Sequence, residues 1–233
     1  MIKLIKCKDK KEVAVQASKF YINTLRQNPC SVLGLATGST PLGLYEELIR
    51  LYLTGIISFS QVTTFNLDEY LGLPDLHSQT YRNFMDKNLF NHIDIGKLSS
   101  FFPANRDYDD VIDMIGGIDL QLLGIGRNGH IGFNEPGTSK DSLTHVVNLT
   151  EGTIKDNARF FEDISQVPKK AITMGITSIL NTKKIILLAT GGNKAKAVFN
   201  AIKMIPNNSC PASFLQSHPN CTFIIDKEAG GLL

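Results

Sequence analysis

The chain has 233 residues, 42% of them hydrophobic, and its 24 Lys and Arg nearly balance its 22 Asp and Glu, for a formal charge of +2. That length suits one large α/β domain or two small ones, able to bury about 70–75% of the unfolded surface without disulfide staples. No basic run supplies the footprint of a nucleic-acid binder, no uninterrupted apolar segment approaches the roughly 18 residues of a membrane span, and the apolar N-terminal stretch is too short for a signal peptide. A small charged metabolite in the cytosol is the partner and setting these features favour.

Taken in order, residues 2–5 predict a first strand, and residues 11–28, with Val13, Ala17, Phe20, Ile22 and Leu25 at helical spacing, a helix stopped by Asn28-Pro29. A strand at 31–36 (SVLGLA) runs into ATGSTP and a helix from 41 to about 53. Residues 61–66 (QVTTFN) are β-branched and strand-like, ending at Asp68-Glu69, and 80–90 fits a helix. The most continuous strand signals are 118–125 (IDLQLLGI) and 184–189 (KIILLA), with 222–225 a last one; helices are expected at about 172–180 and 194–204. No repeat, low-complexity tract or linker interrupts residues 1–233. This alternation predicts an α/β fold, a doubly wound, mostly parallel sheet with helices on both faces.

The strand at 118–125 dissolves into LGIGRNGHIGFNEPGT (123–138), where Gly124, Gly126, Gly129 and Gly132 accompany Asn128, His130 and Glu135. Parallel α/β sheets bind ligands at such carboxyl ends, and glycine lets backbone N–H groups approach a substrate. This combination reads as a catalytic loop. Three further strand ends carry chemistry. In Ala36-Thr37-Gly38-Ser39-Thr40-Pro41, a glycine turn, two hydroxyls and a helix start converge as a phosphate would require, although an ordinary capped helix reads the same way. The segment lacks the Walker lysine and the dinucleotide spacing, which disfavours a nucleotide. Asp68 and Glu69 are adjacent carboxylates whose side chains diverge. Repulsion between them favours a proton on one, suiting it as a general base, while a solvated acidic turn is the plainer alternative. Lys194, following Ala189-Thr190-Gly191-Gly192-Asn193, stands on the first turn of a helix, where it opposes the dipole but suits a phosphate.

Cys7, Cys30, Cys210 and Cys221 are scattered, without CxxC spacing, and read as reduced structural thiols. His77, His92, His145 and His218 show no ligand spacing and read as surface or structural, with His77 on a loop within possible reach of a pocket. No metal is demanded.

The segments LATGSTPLGLY, FNLDEYLGL, LGIGRNGHIGFNEPGT, ARFF around Arg159, and GGNKAKAV together resemble the glucosamine-6-phosphate deaminase family over about residues 33–200. The resemblance implies a modified Rossmann-like α/β fold without a nucleotide cofactor. It also implies conversion of D-glucosamine 6-phosphate and water to D-fructose 6-phosphate and ammonia. Asp68 matches the family's base, which shuttles a proton between C2 and C1 through an enolamine, His130 its ring-opening acid/base, and Glu135 the carboxylate partner of that histidine. Asn128 stands where some members have aspartate, which an amide can replace if the role is to orient and hydrogen-bond. Gly38, Ser39, Thr40, Arg159 and Lys194 match the sugar-phosphate ligands. FNLDEYLGL and GFNEPGT favour this family over the 6-phosphogluconolactonases, which look similar in fold. A sugar-phosphate sensor would need a DNA-binding segment, and none precedes Ile2.

The same resemblance implies a lid at about 145–168 that includes the amphipathic stretch 153–161 and carries Arg159. Longer, activated members have basic residues where this chain has His145 and Val147, and carry a C-terminal extension that this chain, ending at Leu233, lacks. The expectation is therefore hyperbolic kinetics, no activation by N-acetylglucosamine 6-phosphate, and a monomer or small homo-oligomer.

Overall fold

The short apolar runs become strands because their side chains are covered on both faces, and the amphipathic stretches between them become helices laid against those faces. The computed structural model describes residues 2–74, 76–105, 107–158 and 161–233, and the side chains of 156 and 157 are not described. From the N-terminus come β1 (Lys3–Cys7), α1 (Lys10–Gln27), β2 (Val32–Leu35), α2 (Leu42–Leu53), β3 (Thr63–Asn66), β4 (Asp68–Leu71), α3 (Tyr81–Asn88), β5 (Ser100–Phe101) and α4 (Tyr108–Met114). Then follow β6 (Leu120–Leu123), β7 (His145–Asn148), α5 (Glu151–Asn157), β8 (Lys170–Thr173), α6 (Ile176–Leu180), β9 (Ile185–Ala189), α7 (Ala195–Lys203) and β10 (Cys221–Asp226).

Seven strands form a parallel sheet in the order β1-β10-β9-β6-β2-β3-β5. From β2 the chain moves outward to β3, and from β6 it moves the other way to β9 and β10. With right-handed crossovers, this reversal puts helices on opposite faces and opens a crevice between the carboxyl ends of β2 and β6. The expected doubly wound sheet is thus present. Its four central strands β2, β6, β9 and β10 are buried residue by residue, and the main core contains Leu33, Leu35, Phe65, Leu122, Leu187 and Phe223.

A second sheet was not anticipated: β4, β8 and β7 pair antiparallel, with Asp68 opposite Thr173 and Thr173 opposite His145. Asp68-Glu69, read from the sequence as the end of a strand, instead begins one. The chain leaves the parallel sheet after Asn66, Leu67 N–H donates back to Leu35 O at 3.0 Å, and Asp68 opens the second sheet. The sequence shows only one polar interruption there, too little to distinguish a strand's end from a change of partner. A related correction concerns 172–180. Ile172 and Thr173 are buried strand residues, and the helix starts only at Ile176 after Gly175. A short apolar run does not by itself separate strand from helix, and tertiary pairing decides. The amphipathic stretch 153–161 overlaps the helix Glu151–Asn157, and β5, α4 and β7 lacked a sequence signal long enough to register.

Tyr70, Phe133, Leu149 and Ala171 form a smaller core beside this second sheet, joined by Tyr81, Val147, Ile154 and Phe161. Cys7, Cys210 and Cys221 are buried free thiols, and burial pushes Cys7 up to about 11 and Cys221 to about 12, away from reactivity. Cys30 is the exception, exposed with its Sγ 3.0 Å from Gln61 Oε1. No helix of the described residues is long and apolar enough to cross a membrane.

Candidate active site

At the carboxyl ends of β2, β6 and β9 lies a cleft of 210 Å³ lined by residues from all four strand-end segments singled out above, among them Gly38, Ser39, Thr40, Asp68, His130 and Lys194. Its floor starts at β2. After Leu35 the backbone is held by Tyr45, whose hydroxyl donates to Ala36 O at 2.5 Å, and Gly38 takes φ +99°, which a side chain would strain. The turn hands over to α2 through Pro41, leaving Thr37 to Thr40 along the cleft. Opposite it, Gly191 at φ +88° donates its N–H to both Asp226 carboxylate oxygens, at 3.1 and 3.0 Å, which fixes the tight turn Gly192–Lys194 ahead of α7. Lys194 thus precedes the helix proper instead of lying in its first turn, and it lines the same cleft. A hydroxyl-rich turn, a lysine and a helix start on facing sides suit a dianion such as a phosphate monoester. Arg159, expected as a further phosphate ligand, lies outside the described residues.

Asp68 owes its place to the change of sheet. It is 7% exposed and its carboxyl faces the cleft, whereas Glu69 turns the other way and accepts backbone N–H groups from Tyr70, Tyr81 and Arg82 at 2.8, 2.8 and 2.9 Å. The divergence expected of adjacent carboxylates is realised, one free to react and one capping the start of α3. Burial, and then the Glu69 charge, push the Asp68 carboxyl from 3.8 up to about 8. Loss of hydration disfavours the charged form, and no hydrogen bond from the described residues offsets it.

The residues of the candidate catalytic loop lie side by side. His130 packs on Gly126, where an added Cβ would lie 2.3 Å from the imidazole, so only glycine admits the ring. Glu135 Oε2 accepts from Asn128 Nδ2 at 2.6 Å and lies 3.5 Å from His130 Nδ1, a separation within ion-pair reach but long for a hydrogen bond. Asn128 Oδ1 in turn accepts the His130 backbone N–H at 3.2 Å. Burial alone would raise the Glu135 carboxyl. The nearby His130 imidazole, then the Thr153 hydroxyl and the Asn128 amide, outweigh it and hold Glu135 at about 2. Asn128 and Glu135 therefore stand behind His130 and do not line the cleft themselves. Asn134 pins this loop to β8, its Nδ2 donating to Ile131 O at 2.9 Å and Met174 O at 2.8 Å.

Three polar lining residues were not singled out from the sequence: Arg127, Tyr81 and Thr153. Arg127 had a signal, being a cation among the glycines of the strand end; the other two reach the cleft only through tertiary packing. His77 stacks on Phe161 with centroids 6.2 Å apart and is not among the cleft's lining, while His218 is buried with Nε2 2.7 Å from Thr182 O. Among the described residues no three His, Cys, Asp or Glu are grouped as metal ligands.

Residues 8–224 match the model of the glucosamine-6-phosphate isomerases/6-phosphogluconolactonase family. The chain belongs to that family. It is 51% identical to a glucosamine-6-phosphate deaminase of Thermoanaerobacter pseudethanolicus, across 95% of this chain and 91% of that one, and 49% identical to one of Clostridium novyi across the whole of both. Among solved structures, one described as a monomeric glucosamine-6-phosphate deaminase superposes with a TM-score of 0.96 at 46% identity over both full chains. A 6-phosphogluconolactonase from Trypanosoma cruzi, 22% identical, superposes at 0.79 and shares the fold. The family's α/β sheet is the one described above, and the chain is an enzyme of this family.

Proposed function

We propose that the chain converts D-glucosamine 6-phosphate and water to D-fructose 6-phosphate and ammonia. The observation that carries this reading is a buried carboxyl, Asp68, facing the same anion-suited cleft as the His130 imidazole. Relatives about 50% identical over nearly their whole length bear the name of this activity.

The phosphate would sit between the Gly38-Ser39-Thr40 turn and Lys194, with Arg159 completing the set. His130 protonates the ring oxygen while the anomeric hydroxyl loses its proton, giving the open aldehyde; Glu135 and Asn128 orient the imidazole and stabilise its charged form. Asp68, once ionised, takes the proton from C2, and the electrons move into an enolamine. The proton returns to C1, leaving a C2 imine that water hydrolyses to the ketone and ammonia. A carbon acid next to an aldehyde is weak, so a base held out of water and fixed near C2 contributes both basicity and orientation. The segment 145–168 acts as a lid that closes over the bound sugar phosphate. Residues 1–233 act as a single domain.

The test is to incubate the purified chain with glucosamine 6-phosphate and measure ammonia and fructose 6-phosphate together. Both should appear in equal amounts. Neither appearing, with 6-phosphogluconolactone hydrolysed instead, would replace this reading with the lactonase one.

A further inference from the structure

Glu135 is held from two sides. Its Oε2 faces the catalytic loop, with Asn128 Nδ2 at 2.6 Å and His130 Nδ1 at 3.5 Å. Its Oε1 accepts the hydroxyl of Thr153, which comes from α5, on the segment read above as the lid. That hydroxyl is itself directed. Thr150 caps α5, accepting Thr153 N–H at 3.2 Å, and its own hydroxyl donates to Thr153 Oγ1 at 3.0 Å, so the remaining Thr153 proton points to Glu135. The helix cap and the candidate catalytic loop are thus joined by one chain of hydrogen bonds, Thr150 to Thr153 to Glu135, in which each donor polarises the next.

The last torsion of a glutamate is soft, so donors on one oxygen alone leave the carboxylate plane poorly set. A second donor on the far oxygen removes that freedom. The next residue of α5, Ile154, packs on the small core that also holds Tyr70 and Phe133, so the hydroxyl is in place only when α5 is seated there. We infer that Thr153 is a positioning residue through which the seated α5 fixes the Glu135 carboxylate, and through it the His130 ring. The inference rests on the activity proposed above. Thr153 acts through Glu135 and takes no proton from the substrate.

The experiment is a double-mutant cycle on the full chain, with Thr153→Val made in the wild type and in Glu135→Gln, Thr153→Ser as the conservative control, and steady-state turnover of glucosamine 6-phosphate as the readout. In the wild-type background Thr153→Val should lower kcat about 10-fold, as expected for one charge-assisted hydrogen bond, with KM within about two-fold. Thr153→Ser should retain most of kcat, and in the Glu135→Gln background Thr153→Val should have almost no further effect. An unchanged kcat, a loss confined to KM, or an equal loss in both backgrounds would overturn the inference. If valine prevents folding, as judged by circular dichroism, Thr153→Ala carries the same cycle. A wild type inactive on glucosamine 6-phosphate overturns the proposed function, whereas an active wild type with an indifferent Thr153→Val overturns this inference alone.

Discussion

Asp68 shows what a site costs the fold. In the unfolded chain its carboxyl titrates near 3.8, and in the folded chain near 8. Between those values folding must protonate it, and above the higher one the folded state carries a buried carboxylate. The destabilisation therefore grows as pH rises from about 4 to about 8 and then levels off. Asp68→Asn should raise Tm at pH 9 by about 5 °C or more and leave it nearly unchanged at pH 4, a difference read directly by calorimetry. The same variant should abolish exchange of the substrate's C2 proton with solvent, since the transition state loses its base while the phosphate contacts remain. In the wild type, kcat/KM should climb through about pH 8 as the free enzyme's Asp68 ionises; a profile flat from pH 6 to 9 would remove Asp68 from that role. Lys194→Ala tests the other end of the cleft. Loss of a charged hydrogen bond of about 1.5–3 kcal/mol predicts a KM about 10-fold higher or more with kcat little changed, and an unaltered KM would place the phosphate elsewhere.

At the scale of elements, the sequence was most informative where burial is continuous. The buried strands β2, β6, β9 and β10 were legible because each is a short apolar run of strand length rich in branched aliphatics and bounded by turn residues, and the glycines after β2, β6 and β9 marked where the cleft opens. It was least informative where a strand's partner decides its identity: β4 and β8 became visible only when Asp68 was found opposite Thr173. Most of the site residues read from the strand ends do converge, Asn128 and Glu135 standing one step behind His130, whereas Tyr81 and Thr153 carried no local pattern to find. Gly175 joins these elements. An added Cβ there would lie 2.2 Å from Ser142 O and 2.3 Å from Leu143 O, backbone atoms with no rotamer to move. Gly175→Ala should therefore cost about 1–3 kcal/mol in urea unfolding, by pushing the start of α6 away from the approach to β7.

Viewed as a whole, the molecule places the candidate base and the root of the proposed lid in one small sheet, since Asp68 pairs with Thr173 and Thr173 with His145. Movement of the proposed lid would therefore have a direct mechanical path to the cleft. The positions at which regulated relatives are expected to carry cations are on this same strand. Val147 packs into the small core, and His145 Nδ1 lies 2.7 Å from Leu143 O, so neither offers a fixed positive charge to an activator's phosphate. Coupling requires a second site that binds its ligand differently in two states, and an apolar side chain with a backbone-bound histidine provides no such discrimination for a dianion. Initial rates against glucosamine 6-phosphate should accordingly follow a hyperbola with a Hill coefficient near one, unmoved by N-acetylglucosamine 6-phosphate. Light scattering should give a mass near the 25.7 kDa of one chain or a small multiple of it. Sigmoidal rates that the activator straightens would show a regulatory site elsewhere on the surface, and a hexamer would show that assembly needs none of the features on which this expectation rests.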